Sequence, residues 1–96
     1  MSEIVRMRSV EPVLYGVVKI VWRDGYEGVV DLRPVIAAGD MFAFLREAPE
    51  RFQTVALDEF GHSIRWIDDA GDEVDFGSDA LRRRAERQAE ILRLAS

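Results

Sequence analysis

The stretch Leu14 to Asp31, LYGVVKIVWRDGYEGVVD, decides how the rest of the chain is read, because apolar residues fall on alternate positions on both sides of Asp24-Gly25. Alternation at period two marks a half-buried strand. Leu14, Val18, Ile20 and Trp22 share one face while Lys19 and Arg23 point the other way, so the even face is expected to be the core. Two registers can close this hairpin. A two-residue loop of Asp24-Gly25 sets Trp22 opposite Glu27 and Val18 opposite Asp31, which places two carboxylates on the buried side. A three-residue loop, Arg23-Asp24-Gly25 with Gly25 left-handed at the bulge position, pairs Trp22 with Tyr26, Ile20 with Gly28 and Val18 with Val30. A one-residue slip turns every side chain to the other face, so burial selects the second register. Gly25 is then a backbone requirement rather than a ligand site. Glu27, Val29 and Asp31 fall on the Lys19 face.

The same grammar recurs on either side. Residues 3 to 9 alternate, with Val5 and Met7 against Arg6 and Arg8, and Glu11-Pro12 is expected to break that ladder because proline donates no backbone hydrogen bond. Further on, Val55 and Leu57 alternate with Thr54, Ala56 and Asp58, Glu59-Phe60-Gly61-His62 makes a turn, and Ile64 and Trp66 alternate with Ser63 and Arg65. A three-residue loop of Asp69-Ala70-Gly71 pairs Trp66 with Val74, Ile64 with Phe76 and Arg65 with Asp75. Asp68 then opposes Asp72, a like-charge pair that only a wet tip tolerates. Ile20, Trp22, Asp24, Val30 and Asp31 recur 44 residues later, but the hairpin centres lie 46 apart, which favours two hairpins built by the same rules over a duplication.

Between the hairpins, Pro34 ends the third strand, Ala37-Ala38-Gly39 forms a short helical turn, and Asp40 is placed to cap a second short helix carrying Met41 to Leu45. Pro49 opens another short piece ending near Phe52. This connector is expected to pack through Phe42, Leu45 and Phe52. The tail, Ser78 to Ala95, reads as one long helix with Ser78 or Asp79 at its cap. Leu81, Ala85, Gln88, Ala89, Leu92 and Ala95 form one stripe that can lie on a sheet, with Glu86, Glu90 and Arg83 opposite. Arg82 with Glu86, and Arg87 with Glu90, have the spacing of local ion pairs. Ile91 and Leu94 lie off the stripe and widen the apolar arc beyond what one small domain needs.

The expected architecture is a single α+β domain over residues 1 to 96. Three antiparallel strands, a short helical connector and three more strands precede a C-terminal helix, 78 to 95, packed by Leu81, Ala85 and Leu92.

With 96 residues, of which 48% are hydrophobic and 32% charged, the chain has the composition of one ordinary globular domain. Zero cysteines remove disulfides, thiolate metal sites and cysteine nucleophiles together. No apolar run approaches the roughly 20 residues of a membrane span, and the longest, Val17 to Trp22, contains Lys19. Met1-Ser2-Glu3 lacks the basic start of a signal peptide, so the reading is cytoplasmic, with no membrane partner.

Charge is unevenly distributed. Residues 1 to 77 carry a net -7 and residues 78 to 96 a net +2, on a chain of net -5. An acidic body repels a phosphate backbone unless the arginines sit apart from it. His62, the one histidine, reads as a solvated turn residue, so a histidine-rich zinc site is excluded. Asp68, Asp69, Asp72, Glu73 and Asp75 lack calcium-hand spacing and read as a hairpin tip. Ser9, Thr54, Ser63, Ser78 and Ser96 have no nucleophile motif around them, and no glycine-rich phosphate loop is present. No catalytic residue, cofactor or metal is expected.

At Asp24-Gly25, Val30-Asp31-Leu32-Arg33-Pro34, Phe52, Val55-x-Leu57-Asp58-Glu59-Phe60-Gly61 and Ile64-x-Trp66 the chain resembles the bacterial domain of unknown function numbered 2442, over about residues 4 to 81. Asp75-Phe76, Ser78-Asp79 and Leu81 are similar to that family's closing motif. The chain departs from it after Trp66, where members commonly have Pro-Asn-Gly and Ile67-Asp68-Asp69-Ala70-Gly71 stands here, and in the long helix after Leu81. The resemblance implies a small bacterial α+β protein without established activity or catalytic residues. Some relatives resemble partners in two-gene toxin–antitoxin-like modules, and some carry a helix-turn-helix after this domain.

The functional expectation is a non-enzymatic protein-interaction or regulatory module, antitoxin-like in kind, that binds a protein partner or a second copy through Ile91 and Leu94 on the C-terminal helix. The alternative is a nucleic-acid-linked regulator using Arg82, Arg83, Arg84 and Arg87. Trp22 and Trp66 are expected as core anchors rather than base-stacking platforms.

Overall fold

The computed structural model describes residues 5–95, apart from the Ala95 side chain. Residues 3 and 4 of the first expected strand, and Ala95 as a member of the helix stripe, therefore lie outside the described residues. Strands β1 (Met7–Leu14), β2 (Val17–Trp22) and β3 (Glu27–Asp31) form one antiparallel sheet in that order. Helix α1 (Arg33–Ala38), a 3-10 turn at Asp40–Phe42, helix α2 (Ala43–Glu47) and a second 3-10 segment at Pro49–Thr54 make the connector. Strands β4 (Ala56–Leu57), β5 (Ser63–Ile67) and β6 (Glu73–Gly77) form the second antiparallel sheet, and α3 (Ser78–Ala95) closes the chain. The fold is α+β.

Both hairpins take the registers that parity selects. Val18 faces Val30 and Ile20 faces Gly28, and the Trp22 amide donates to the Tyr26 carbonyl at 2.8 Å across a loop whose Gly25 has φ 93°. In the second sheet Ile64 faces Phe76, Arg65 faces Asp75 and Trp66 faces Val74, with Gly71 at φ 84°. The closing pairs are thus Trp22–Tyr26 and Asp68–Asp72, so Trp22 borders its loop whereas Trp66 sits within β5, and the two tryptophans are not equivalent positions. Asp68 resolves its opposition to Asp72 by folding back: its Oδ1 accepts the amides of Ala70 and Asp72, each at 2.9 Å.

Four expectations are corrected. Pro12 does not break β1, which continues to Leu14 with register irregularities between Met7 and Ser9 and between Pro12 and Leu14. β1 is an edge strand, and Pro12 stands opposite Val18, whose backbone groups are committed to β3. The proline nitrogen therefore faces away from the ladder and no hydrogen bond is lost. Leu14 is exposed rather than buried, because a turn at Tyr15-Gly16 makes it the last residue of β1 instead of the first of β2. Asp40 makes no capping bond, and its segment begins as a 3-10 turn. Leu92 is not packed on the sheet, for the reason given below.

The core is one cluster that draws on every layer. Val18, Ile20, Trp22 and Val30 from the first sheet meet Ile64 and Trp66 from the second, with Leu32, Ile36, Phe42, Leu45 and Phe52 from the connector and Leu81 from α3. Both indoles are fully buried, and each has its polar handle satisfied as a dry interior requires. Trp66 Nε1 donates to the Phe52 carbonyl at 3.1 Å, and Trp22 Nε1 donates to Ser78 Oγ at 3.1 Å. The Ser78 hydroxyl in turn donates to the Val5 carbonyl. The Ser78 amide donates to His62 O at 2.8 Å and the Met7 amide to Gly61 O at 2.7 Å, so the turn before β5 is stitched to the start of α3 and to the start of β1.

Helix α3 lies mainly over β3. A β-carbon on Gly28 would come within 2.8 Å of the Ala85 β-carbon, so glycine is what lets the helix axis approach the strand. We expect Gly28→Val to destabilise the protein by about 1–3 kcal/mol through overpacking, read as a lowered urea midpoint, while Val29→Ala on the exposed face stays within about 0.5 kcal/mol.

Candidate functional site

The C-terminal helix is anchored at one end and bare at the other. Leu81 and Ala85 are buried against the sheet, and Gln88 is half-buried with its Oε1 accepting the Asp31 amide at 3.1 Å. From Ala89 to Leu94 every residue is exposed. A helix of 18 residues is roughly 27 Å long, whereas a strand of five spans roughly 17 Å, so α3 outruns the strand beneath it. Leu92 belongs to the sheet-facing stripe by angle yet is 70% exposed, because it lies a turn beyond the Gln88 contact with the last residue of β3. Ile91 and Leu94 are 54% and 81% exposed. The overhang thus presents three large apolar side chains, two of them named from sequence and Leu92 added by the structure.

The arginines divide. Arg82 is not available to an outside ligand: its guanidinium lies over the Tyr26 ring at 4.1 Å and the Trp22 ring at 5.2 Å, and it pairs with Asp24 at 3.1 Å and with Glu86 at 3.3 Å. The first hairpin loop brings Asp24 to the first turns of α3, a proximity that the sequence spacing does not show. Arg82 therefore leaves the set of nucleic-acid contacts. The Asp24 carboxyl sits below its ordinary value because it accepts the Tyr26 amide, a gain partly opposed by desolvation and reinforced by the Arg82 guanidinium.

Arg83, Arg84 and Arg87 remain exposed and, with Phe76 and Ala80, line a shallow groove of about 460 Å³ on the outer side of the helix. The Arg84 guanidinium stands 5.9 Å from the Phe76 ring centre. The expected Arg87–Glu90 pair does not form, and Arg83, Arg84 and Arg87 make no ion pair among the described residues. Phe76 escaped the sequence reading because its parity marked it only as the partner of Ile64. On the opposite flank, a groove of about 270 Å³ runs between β3 and α3, walled by Tyr26, Val29, Ala85, Ala89 and Leu92, with a Lys19–Glu27 pair at 3.4 Å beside it.

The other titratable residues are absorbed by local structure. The Asp58 carboxylate gathers the turn before β5: burial would raise its pKa, but the backbone amides of His62, Ser63, Phe60 and Gly61 outweigh this and lower it. The exposed His62 ring lies 5.9 Å from Phe60. At the second hairpin tip Asp69 pairs with Arg51, and Glu73 pairs with Arg65 at 2.7 Å. Among the described residues no group of three histidine or carboxylate side chains is placed to hold a metal ion. No helix of the described residues is long and apolar enough to cross a membrane.

No protein-family model, no curated protein and no solved structure matches the chain.

The stacked position of Arg82 predicts that Arg82→Ala lowers stability by about 1–2 kcal/mol in urea denaturation, whereas Arg83→Ala changes it by less than about 0.5 kcal/mol. For Asp24, a folded pKa lowered from 3.8 means a contribution fully present above that value and lost as pH falls through the lowered one. Asp24→Asn is expected to flatten the acid limb of the midpoint-versus-pH curve below about pH 4, leaving its slope above about pH 5 unchanged.

Proposed function

We propose that this chain is a non-enzymatic protein-interaction module that engages a partner protein through the overhanging end of α3. One observation carries the reading: Ile91, Leu92 and Leu94 project from a single turn of a helix whose earlier turns pack one face on the sheet, and nothing among the described residues covers them. Single exposed apolar side chains are ordinary on a protein surface. A cluster on an exposed turn of a helix is the presentation used when one helix lies in a partner's groove. A smaller exposed pair, Val13 and Leu14, lies by the Tyr15-Gly16 turn and has no comparable scaffold.

A second reading, a nucleic-acid-linked regulator, draws on Arg83, Arg84 and Arg87 making no ion pair among the described residues. The loss of Arg82 and the net charge of -5 weigh against it. It requires a DNA mobility shift at low salt that fades steeply as salt rises.

The interaction reading is tested by placing a photo-crosslinking amino acid at position 92 in cells. We expect one dominant protein adduct, lost in Ile91→Glu with Leu94→Glu while helicity by circular dichroism is retained. An adduct pattern identical in the wild type and the double variant would remove the surface.

A further inference from the structure

On the strength of the interaction surface just described, we infer that the partner presents an amphipathic helix with carboxylates at one end, which lie against Arg84 and Arg87, and apolar side chains at the other, which lie against Ile91 and Leu94. The spacing is the first ground. Ala80, Arg84, Arg87, Ile91 and Leu94 follow the four-three-four-three interval of a coiled-coil seam, beside but distinct from the sheet-facing stripe of Leu81, Ala85, Gln88 and Leu92. At 3.6 residues per turn this second seam, with Arg83 at its border, occupies an arc of roughly 100° on the outer side of the helix. Asp79, Glu86 and Glu90, the carboxylates of α3, all fall outside that arc.

Availability is the second ground. Arg84 and Arg87 make no ion pair among the described residues, and the Phe76 ring lies beneath Arg84, which limits the conformations its guanidinium can take. Two guanidinium groups along one seam lead into an apolar end, so the seam has a polarity: charge first, then hydrocarbon.

That polarity argues against a second copy of this chain. In a parallel pair Arg84 and Arg87 would meet their own counterparts. In an antiparallel pair the seam positions oppose in reverse order, so Arg84 would be pressed against Leu94 of the copy and Arg87 against Ile91. Either arrangement desolvates guanidinium groups without a counter-charge, which is costly. Carboxylates at the two matching positions of a different helix convert the same contacts into charge-assisted hydrogen bonds. The acidic body adds selectivity, because residues 1 to 77 carry a net -7 and disfavour an acidic helix anywhere but on this stripe.

The test uses the full chain and fluorescent synthetic helices of about three heptads, carrying leucine at the seam positions of one half and glutamate at those of the other, in both sequence orders. Matching peptides carry lysine for glutamate. We expect the glutamate peptide, in one of the two orders, to bind about ten-fold or more tightly than its lysine counterpart by fluorescence anisotropy. Arg84→Glu with Arg87→Glu should invert that preference, and Ile91→Glu with Leu94→Glu should abolish binding of both. Equal binding of glutamate and lysine peptides, or a preference unmoved by the arginine reversal, overturns the inference. The cellular crosslink from position 92 separates the two levels. An adduct that survives arginine reversal but not the Ile91 and Leu94 changes overturns the acidic partner and leaves the interaction surface standing. An adduct that survives both overturns both. A wild-type dimer dissociated by the Ile91 and Leu94 changes, or low-salt binding of random duplex DNA lost on arginine reversal, likewise overturns it by assigning the stripe to a second copy or to phosphate.

Discussion

Three segments far apart in sequence meet at one hydroxyl. Ser78, buried at the start of α3, accepts the indole N–H of Trp22 and donates to the carbonyl of Val5, while its own amide is taken by His62. An indole as deeply buried as that of Trp22 needs an acceptor, since an unmatched buried donor costs about 1–3 kcal/mol. Serine meets this need from a position that is also the first turn of a helix. The first sheet, the entering strand and the C-terminal helix are thereby fixed to one another, and the direction in which α3 leaves the body follows. What that helix shows to the outside depends on where this anchor holds its beginning.

How much of this was legible in the sequence follows from what kind of constraint set each feature. The hairpin registers were legible because each sheet is buried on one side only, so a slip at Trp22 or Trp66 would expose an indole and bury a carboxylate. The connector's core residues Phe42, Leu45 and Phe52 were legible as large apolar side chains among turn formers. Leu14 was misplaced because alternation continues across a turn without announcing it, and Pro12 because a proline's harm depends on which way its nitrogen faces. Leu92 has the right angle for burial and the wrong height, a distance that only the length of β3 decides. At the candidate site, Ile91 and Leu94 stood out because they fall off the helix stripe. The commitment of Arg82 to Asp24 and Tyr26 was hidden, since it depends on a loop folding back beside a helix 58 residues later.

The separation of charge on this molecule is therefore finer than the difference between body and tail. Of the four arginines read from the helix as one group, Arg82 is spent inside, flattened between aromatic rings and a carboxylate, and contributes to holding α3 on the hairpin. Arg83, Arg84 and Arg87 face outward. Neighbours in sequence thus serve opposite ends, because successive positions of a helix differ by about 100° and only one of them looks toward Tyr26. Single arginine substitutions in this run will differ in kind, some loosening the fold and some altering only the surface.

The rims of the first sheet are each interrupted in a different way. On β1, Pro12 turns a nitrogen without hydrogen toward the outside and irregular register bends the strand. On β3, the outward amide of Asp31 is already taken by Gln88 from the helix above. An incoming chain seeking to extend the sheet would find a missing donor on one side and an occupied one on the other, so both rims are poor templates for runaway stacking of copies. A protein that displays uncovered leucine and isoleucine on a helix, yet interrupts each rim of this sheet, channels whatever stickiness it has away from fibre-like growth.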